Sequence, residues 1–505
     1  MRGFNTLLFV LFALSANAAD GTLGTVSVQK GNDLSVNGEA PLSLTLDGKD
    51  HQSCQFLSKR APDESHEFTW KEVTTTRGGE LAEILGDQLR SVDSLVVKGN
   101  VNDKDFHAMW DASLYGYLSV INLKNAVLEN NAVPDTAFFH ENEQYEGSSH
   151  EIFYYIGLRK IILPEGLEKI GEGAFYQASA LRQVNFPSTL RYIGDFAFNA
   201  TKLEMNQLVI PEGVEEINQY AFAFCRKLKA QVTLPSTIKK IGEWAFYGCP
   251  ITSINLPEGL ESLGSLAFWD CDLREVSIPS SCHEFNEGWQ FGFNRNLEKM
   301  HLPEGMTEIP DHFAVDCFRL REVNFPHTLK HIGEKAFSLC ISLKNVDLPL
   351  GMQSLGEEAF SELEALEQIV FPASMKSLGK NSCSYWKNIK RIYCAAMEPP
   401  VCDPTDGGVF SGFDFPDGLN TPVVYVPKGS INKYKDTSRN CMGWEKFWNY
   451  VEIDPSEFPT TAIDSPTIVE TLSKDNSVYD LMGRKVEHPQ KGNIYIQNGK
   501  KFVAK

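Results

Sequence analysis

Proline recurs down the middle of this chain at Pro164, Pro187, Pro211, Pro235, Pro257, Pro279, Pro303, Pro326, Pro349 and Pro372, at intervals of 22 to 24 residues. A fixed period of this length marks one supersecondary unit used repeatedly, because a unit too small to bury its own apolar face buries it against its neighbours. The period therefore predicts a solenoid. It removes the difficulty that 505 residues pose for a single core, since each unit packs only on the next. It also shifts the expected function from catalysis toward recognition, because the asset of a solenoid is a long exposed face.

The unit that starts at Leu320 shows how a turn is built. It reads Leu320, Val323, Phe325, Pro326, Leu329, Ile332, Gly333, Ala336, Phe337, Cys340. Val323 and Phe325 alternate as in a strand. Proline cannot donate to a ladder, so Pro326 ends the pairing and turns the chain. Leu329 and Ile332 start the return path, Gly333 is expected to permit the bend, and Ala336-Phe337 points a large ring back inside. Phe175, Phe198, Phe222, Phe246, Phe268, Phe337 and Phe360 all lie 11 residues after their proline, each preceded by Ala. Phe291 and Phe313 are one residue out of step, Cys383 replaces the ring in the tenth unit, and Ile309-Pro310 replaces Ile-Gly. A kink or altered loop is expected in the units after Pro279 and Pro303.

The predicted class is an α/β repeat: a leucine-rich-repeat solenoid with a parallel β-strand stack and helical N- and C-terminal caps. Leu81, Leu85 and Leu89, then Phe106, Met109 and Trp110, suggest capping helices at the front, and Trp444, Phe447 and Trp448 suggest one at the back. Degenerate strands at Leu95 and Val97, Ile121 and Leu123, and Ile392 and Cys394 flank the regular units.

Leu181 to Ala200, Ile251 to Cys271 and Leu320 to Cys340 resemble the BspA-like leucine-rich repeats of bacterial surface proteins, whose unit is L-x-x-I-x-L-P-x-x-L-x-x-I-G-x-x-A-F-x-x-C. The resemblance spans about Leu158 to Cys394. It implies an adhesin that contacts host proteins or other cells, with no shared binding motif to carry over. Val478 to Val486, with Lys491 to Ile496, looks like the C-terminal sorting domains of Bacteroidetes exported proteins, which implies secretion across, or attachment to, the outer membrane.

The expected layout follows. Residues 1–18 read as a signal peptide, from Arg2, the apolar run Leu7 to Leu14 and Ala16-Asn17-Ala18. Then come a β-rich leader (19–70), an N-terminal cap with degenerate repeats and an insertion at His140 to Ser149 (71–157), and the BspA-like repeats (158–394). A C-terminal cap (395–453), a polar linker (454–477) and the sorting-like tail (478–505) complete it. No later run reaches the 18 apolar residues of a membrane span.

Eleven cysteines in an exported chain raise a disulfide reading. Yet Cys225, Cys249, Cys271, Cys317 and Cys340 all fall 14 residues after their proline, in a column filled elsewhere by Ala178, Phe293, Leu363 and Trp386. That column reads as buried, with Cys as a small hydrophobe; disulfides between neighbouring rungs are the rival. Cys394 with Cys402 or Cys441 are the better disulfide candidates. Neither C-x-x-C nor a His pair at ligand spacing occurs, so no metal or cofactor is expected. Cys282-His283-Glu284 is an adjacent nucleophile and base, but neighbours on an extended segment face opposite ways, and no enzyme is expected.

The formal net charge of -19 argues against nucleic acid or an anionic membrane as partner. If the strand stripe is the concave face, its outward positions are Arg182, Asn185, Thr252, Asn255, Arg274, Glu275, Lys299, His301, Arg321, Asn324, Lys344, Asp347, Arg391 and Tyr393. These are the expected contacts to a protein of host matrix or cell surface. A glycan-binding module and a passive surface spacer stand as alternatives, with few aromatics to favour glycan. Finally, Pro-Glu-Gly at Pro164, Pro211, Pro257 and Pro303 alternates with Pro-Ser at Pro187, Pro235 and Pro279. On rungs about 4.8 Å apart a glutamate on every turn would stack like charges. The alternation relieves that ladder, or marks a duplicated pair of repeats.

Overall fold

In the computed structural model, residues 66–139, 156–403, 408–412, 422–436 and 443–459 are described in full, with the backbone of short strands outside them. The signal peptide, the insertion at His140 to Ser149, most of the linker and Cys441 lie outside the described residues. In the leader, Gly24–Val28 pairs with Leu34–Gly38 and Leu44–Leu46 with Lys49–His51, both antiparallel. In the tail, Val478–Tyr479, Lys485–Val486, Ile494–Gln497 and Lys500–Val503 form an antiparallel sheet.

The repeats wind as a parallel β-solenoid and pack as two compact units that interleave in sequence. The first runs to 303 and includes 310–322 and 333–342; the second comprises 304–309, 323–332 and the chain from 343. Each regular turn has three sides. The first is the strand that proline ends in the repeats, continued at the front by strands without proline. In the first unit Trp70–Thr75, Ser94–Val101, Val120–Leu128, Lys160–Ile162 and Gln183–Val184 pair in parallel. Gln207–Val209, Gln231–Thr233 and Ser253–Asn255 form another such ladder.

The second side is a ladder where only a return path was expected. Ala132–Val133, Lys169–Ile170, Tyr192–Ile193, Glu216–Ile217, Lys240–Ile241, Ser262–Leu263 and Glu284–Phe285 make a seven-stranded parallel sheet. The third side is a stack of tight turns whose N–H groups donate across rungs, Phe175 to the Ala197 carbonyl at 2.8 Å and Phe198 to Ala221 at 2.8 Å. In the second unit the two ladders are Glu308–Ile309, His331–Ile332, Ser354–Leu355, Ser377–Leu378 and Val401–Cys402, and Gln368–Phe371, Arg391–Cys394, Val423–Pro427 and Tyr450–Ile453.

The glycine of Ile-Gly serves a different purpose from the one expected. Gly333 does not take a positive φ. A Cβ there would lie 2.4 Å from Asp311 Oδ1 and 2.7 Å from its backbone nitrogen, so glycine lets one rung approach the next.

Inside the first unit Phe138, Phe175, Phe198, Phe222, Phe246, Phe268 and Phe291 stack face to face, with centroids 5.2 to 5.6 Å apart. Phe313 then turns edge-on to Phe291, at 75°. The irregularity expected after Pro279 and Pro303 is located here. Pro310 has no N–H to give the rung before it, whereas Gly264 donates to Ile241 at 2.8 Å.

The cysteine column is buried, and Cys225, Cys249, Cys271, Cys317 and Cys340 are free thiols. It is not purely apolar. Cys249 donates to the Phe222 carbonyl at 2.9 Å and Cys271 to Phe246 at 3.2 Å. The extra residue after Pro279 puts Asn294 in this column, its amide donating to Phe268 O at 2.6 Å; Phe293, expected there, is half-buried outside. Cys394 is also a buried free thiol, so the expected Cys394–Cys402 bridge is not made.

At the front, Leu81–Leu85 and Asp103–Tyr115 are helical, the second opened by a capping box of Asn102 and Asp105 and burying Phe106 and Met109. It runs between two strands of the first side. At the back the expected helix is one 3-10 turn, Trp444–Lys446, with Trp444 buried and Trp448 80% exposed.

Candidate binding surface

The outward residues of the first side are largely engaged with one another. Arg182 pairs with Glu204, Lys299 with Glu322 at 3.3 Å, and His301 with Glu275 at 3.4 Å. Asn185 and Asn255 bond the backbone of the preceding rung, accepting from Leu163 N–H at 2.7 Å and Leu234 N–H at 2.9 Å. Arg391 donates to Gln368 and Tyr393 stacks on Tyr425 at 4.5 Å. Thr252 is half-buried; Arg274, Arg321, Asn324, Lys344 and Asp347 are exposed. This side is a ladder of polar pairs, with the asparagines acting as rung-to-rung staples.

The turn side carries a feature that the sequence reading passed over. Two residues before each core phenylalanine the chain adopts a left-handed conformation with its side chain outside, at Phe196, Tyr220, Trp244, Leu266 and Trp289. Phe196 stacks on Tyr220 at 4.7 Å and Tyr220 on Trp244 at 5.3 Å; further on, Trp289 stacks on His312 at 3.6 Å. Burial holds the His312 imidazole below its ordinary pKa, so the stacked ring is neutral near pH 7. Tyr176, Phe224, Tyr247, Trp269 and Phe293 flank the row. In later turns the same position holds Lys335, Glu358 and Asn381, also left-handed. The fold therefore does not require rings there.

The row is interrupted once, where Leu266 stands between the turns of Trp244 and Trp289. At that level lies an open pocket of about 520 Å³ lined by Tyr247, Leu266, Trp269, Asp270, Trp289, Phe293 and Arg295. Two glycines shape it. A Cβ on Gly292 would lie 2.1 Å from Trp269 Cζ3, so only glycine lets the indole lie against that backbone. A Cβ on Gly248 would lie 2.8 Å from Arg226 Cζ, and Arg226 passes there to pair with Asp270 at 2.8 Å. Arg295 lies 5.7 Å from the centroids of both Phe293 and Phe318.

Cys282 and His283 separate as adjacency demands. Cys282 is in the core, its thiol pushed up to about 12 by burial, while His283 is exposed and within 2.6 Å of the Ser281 carbonyl. Among the described residues no cluster of His, Cys, Asp and Glu could hold a metal ion, and no helix is long and apolar enough to cross a membrane.

The model of the BspA type leucine rich repeat region matches this chain in six copies over residues 148–231, 230–337 and 312–397. Among solved structures, a leucine-rich repeat protein from Bacteroides ovatus is 24% identical, covering 55% of this chain and 79% of its own, with a TM-score of 0.38. A leucine rich cell surface protein from Faecalibacterium prausnitzii is 21% identical, covering 52% and 83%, with a TM-score of 0.31. The pneumococcal vaccine antigen PcpA is 17% identical, covering 81% and 95%, with a TM-score of 0.32. No curated protein matches the chain.

Proposed function

Because the chain belongs, through residues 148–397, to the BspA-type leucine-rich-repeat family, we propose that it is an exported, non-catalytic recognition protein that adheres to a host or neighbouring-cell surface. The binding face in this reading is the aromatic turn side of the first unit, not the polar first side expected from sequence. One observation carries it. A single structural position holds Phe196, Tyr220, Trp244 and Trp289 in one stretch and Lys335, Glu358 and Asn381 in the next. Half-buried rings that the fold can replace by Lys and Glu are retained for contact, and Trp, Tyr and Arg are the residues in which binding energy concentrates. A passive spacer would have no use for them. The sequence patterns at residues 1–18 and 478–505 support export and attachment.

The test is binding of the full chain to arrayed matrix proteins and surface glycans. Truncating two anchors, Trp269→Ser with Trp289→Ser, should weaken binding at least tenfold, since an interface anchor contributes about 2 kcal/mol or more. Arg182→Ser with Lys344→Ser should leave it unchanged. The opposite pattern would return the binding face to the first side, and no binding to any target would favour the spacer.

A further inference from the structure

We propose that the pocket at Leu266 takes an acidic sugar, a pyranose ring bearing a carboxylate. The inference rests on the reading of the turn side as the binding face and names its ligand chemistry. Three observations lead to it.

The pocket opens at the level where Leu266 interrupts the row of rings. Tyr247 of one turn and Trp289 of the next but one border it, with Leu266 and Trp269 also lining it. Trp269 lies 5.2 Å from Trp289 and 4.5 Å from Phe293, so it occupies part of the gap that Leu266 leaves, and what stays open is a recess with aromatic walls against which a ring with an apolar face can lie. The pocket also has polar groups suited to hydroxyls. Asp270 is an acceptor held in place by Arg226, and Arg295 offers the donors of its guanidinium. An aromatic side chain laid in the recess would leave these groups unused, whereas a pyranose turns C–H groups to the rings and hydroxyls to the polar groups.

The charge balance then selects the acid. The Asp270 charge is matched by Arg226, while Arg295 makes no ion pair among the described residues. The uncompensated charge of the pocket is positive, in a chain of net charge -19. A guanidinium supported by two rings and free of a carboxylate presents a fork that fits one bidentately.

The experiment titrates the full chain with galacturonate disaccharide, N-acetylneuraminic acid, cellobiose and an Asp-Tyr-Asp peptide, read by tryptophan fluorescence and calorimetry. Saturable binding of at least one acidic sugar, with cellobiose at least tenfold weaker, is expected. Arg295→Gln should weaken the acid at least tenfold and leave Tm unchanged. Leu266→Trp occludes the pocket that Leu266 lines, at a position whose equivalents, Trp244 and Trp289, already carry tryptophan with φ of 58° and 66°; it should abolish binding in a folded protein. Absence of saturable binding by either acid, equal binding of cellobiose, binding of the peptide alone, or insensitivity to both substitutions would each overturn the proposal. If arrayed targets still bind through Trp269 and Trp289 while neither acid does, this inference fails and the surface reading stands. If the array is also silent, both fail.

Discussion

Cys249 lies wholly inside the first unit with its S–H aimed at the Phe222 carbonyl 2.9 Å away, where nothing solvates a thiolate. Burial accordingly raises the Cys249, Cys271 and Cys340 thiols well above their ordinary value, Cys394 to about 11 and Cys282 to about 12. A group that holds its proton more tightly when folded stabilises the fold fully below the pKa of the unfolded thiol, about 8.5, and loses that contribution as pH climbs toward the folded value. The urea midpoint should therefore fall between pH 8.5 and 11, and fall less in a Cys249→Ala, Cys271→Ala variant. A midpoint that is flat over that range in the parent protein would contradict this. The same residues show what one-dimensional reading can reach. Five cysteines at constant distance from a proline disclosed a buried column. Their hydrogen bonds to a backbone carbonyl of the preceding turn, of phenylalanine for four of them and of Ala314 for Cys340, and the replacement of Phe293 by Asn294, required the turns to be placed in space.

Adjacent rungs are joined by pairs that give the Glu and Ser alternation a bond as well as a charge. Ser188 donates its hydroxyl to Glu165 at 3.0 Å, Ser236 to Glu212 at 3.0 Å and Ser280 to Glu258 at 3.1 Å. The next residue closes the turn: Thr237 accepts from Gly213 N–H and donates to the Val214 carbonyl, each at 2.9 Å. Ser236→Ala should lower stability by about 1 kcal/mol. Ser236→Glu should lower it further, and more at low salt than at high salt, because it sets two exposed carboxylates on neighbouring rungs within a Debye length. Equal losses at both salts would leave hydrogen bonding alone. The first side was legible because alternating residues before a proline have a strand's period. The second side was not, since strands of two residues such as Lys240–Ile241 contain no period to read. The aromatic row was visible in the letters, as Phe196, Tyr220, Trp244 and Trp289. It was missed because a position that also holds Leu266 and Lys335 reads as variable and hence as unconstrained surface.

Within each unit the solenoid is a stack of turns in which most backbone bonds between rungs join residues about one period apart, as Gly194 N–H to Ile170 and Phe222 N–H to Ala245 do in the first. Three such rows run along the regular turns of the first unit, and all lie roughly along the direction of stacking. A load applied along the stack of a unit meets these bonds in line but can act on only its outermost turn at once. Stretched in a single-molecule trap, the repeats should yield as a sawtooth whose teeth each lengthen the molecule by the 22 to 24 residues of one period, about 75 Å of extended chain. One long rip spanning several periods would mean that turns fail together. Tooth by tooth, such a molecule behaves as a shock absorber, paying out slack under shear while its remaining turns stay wound.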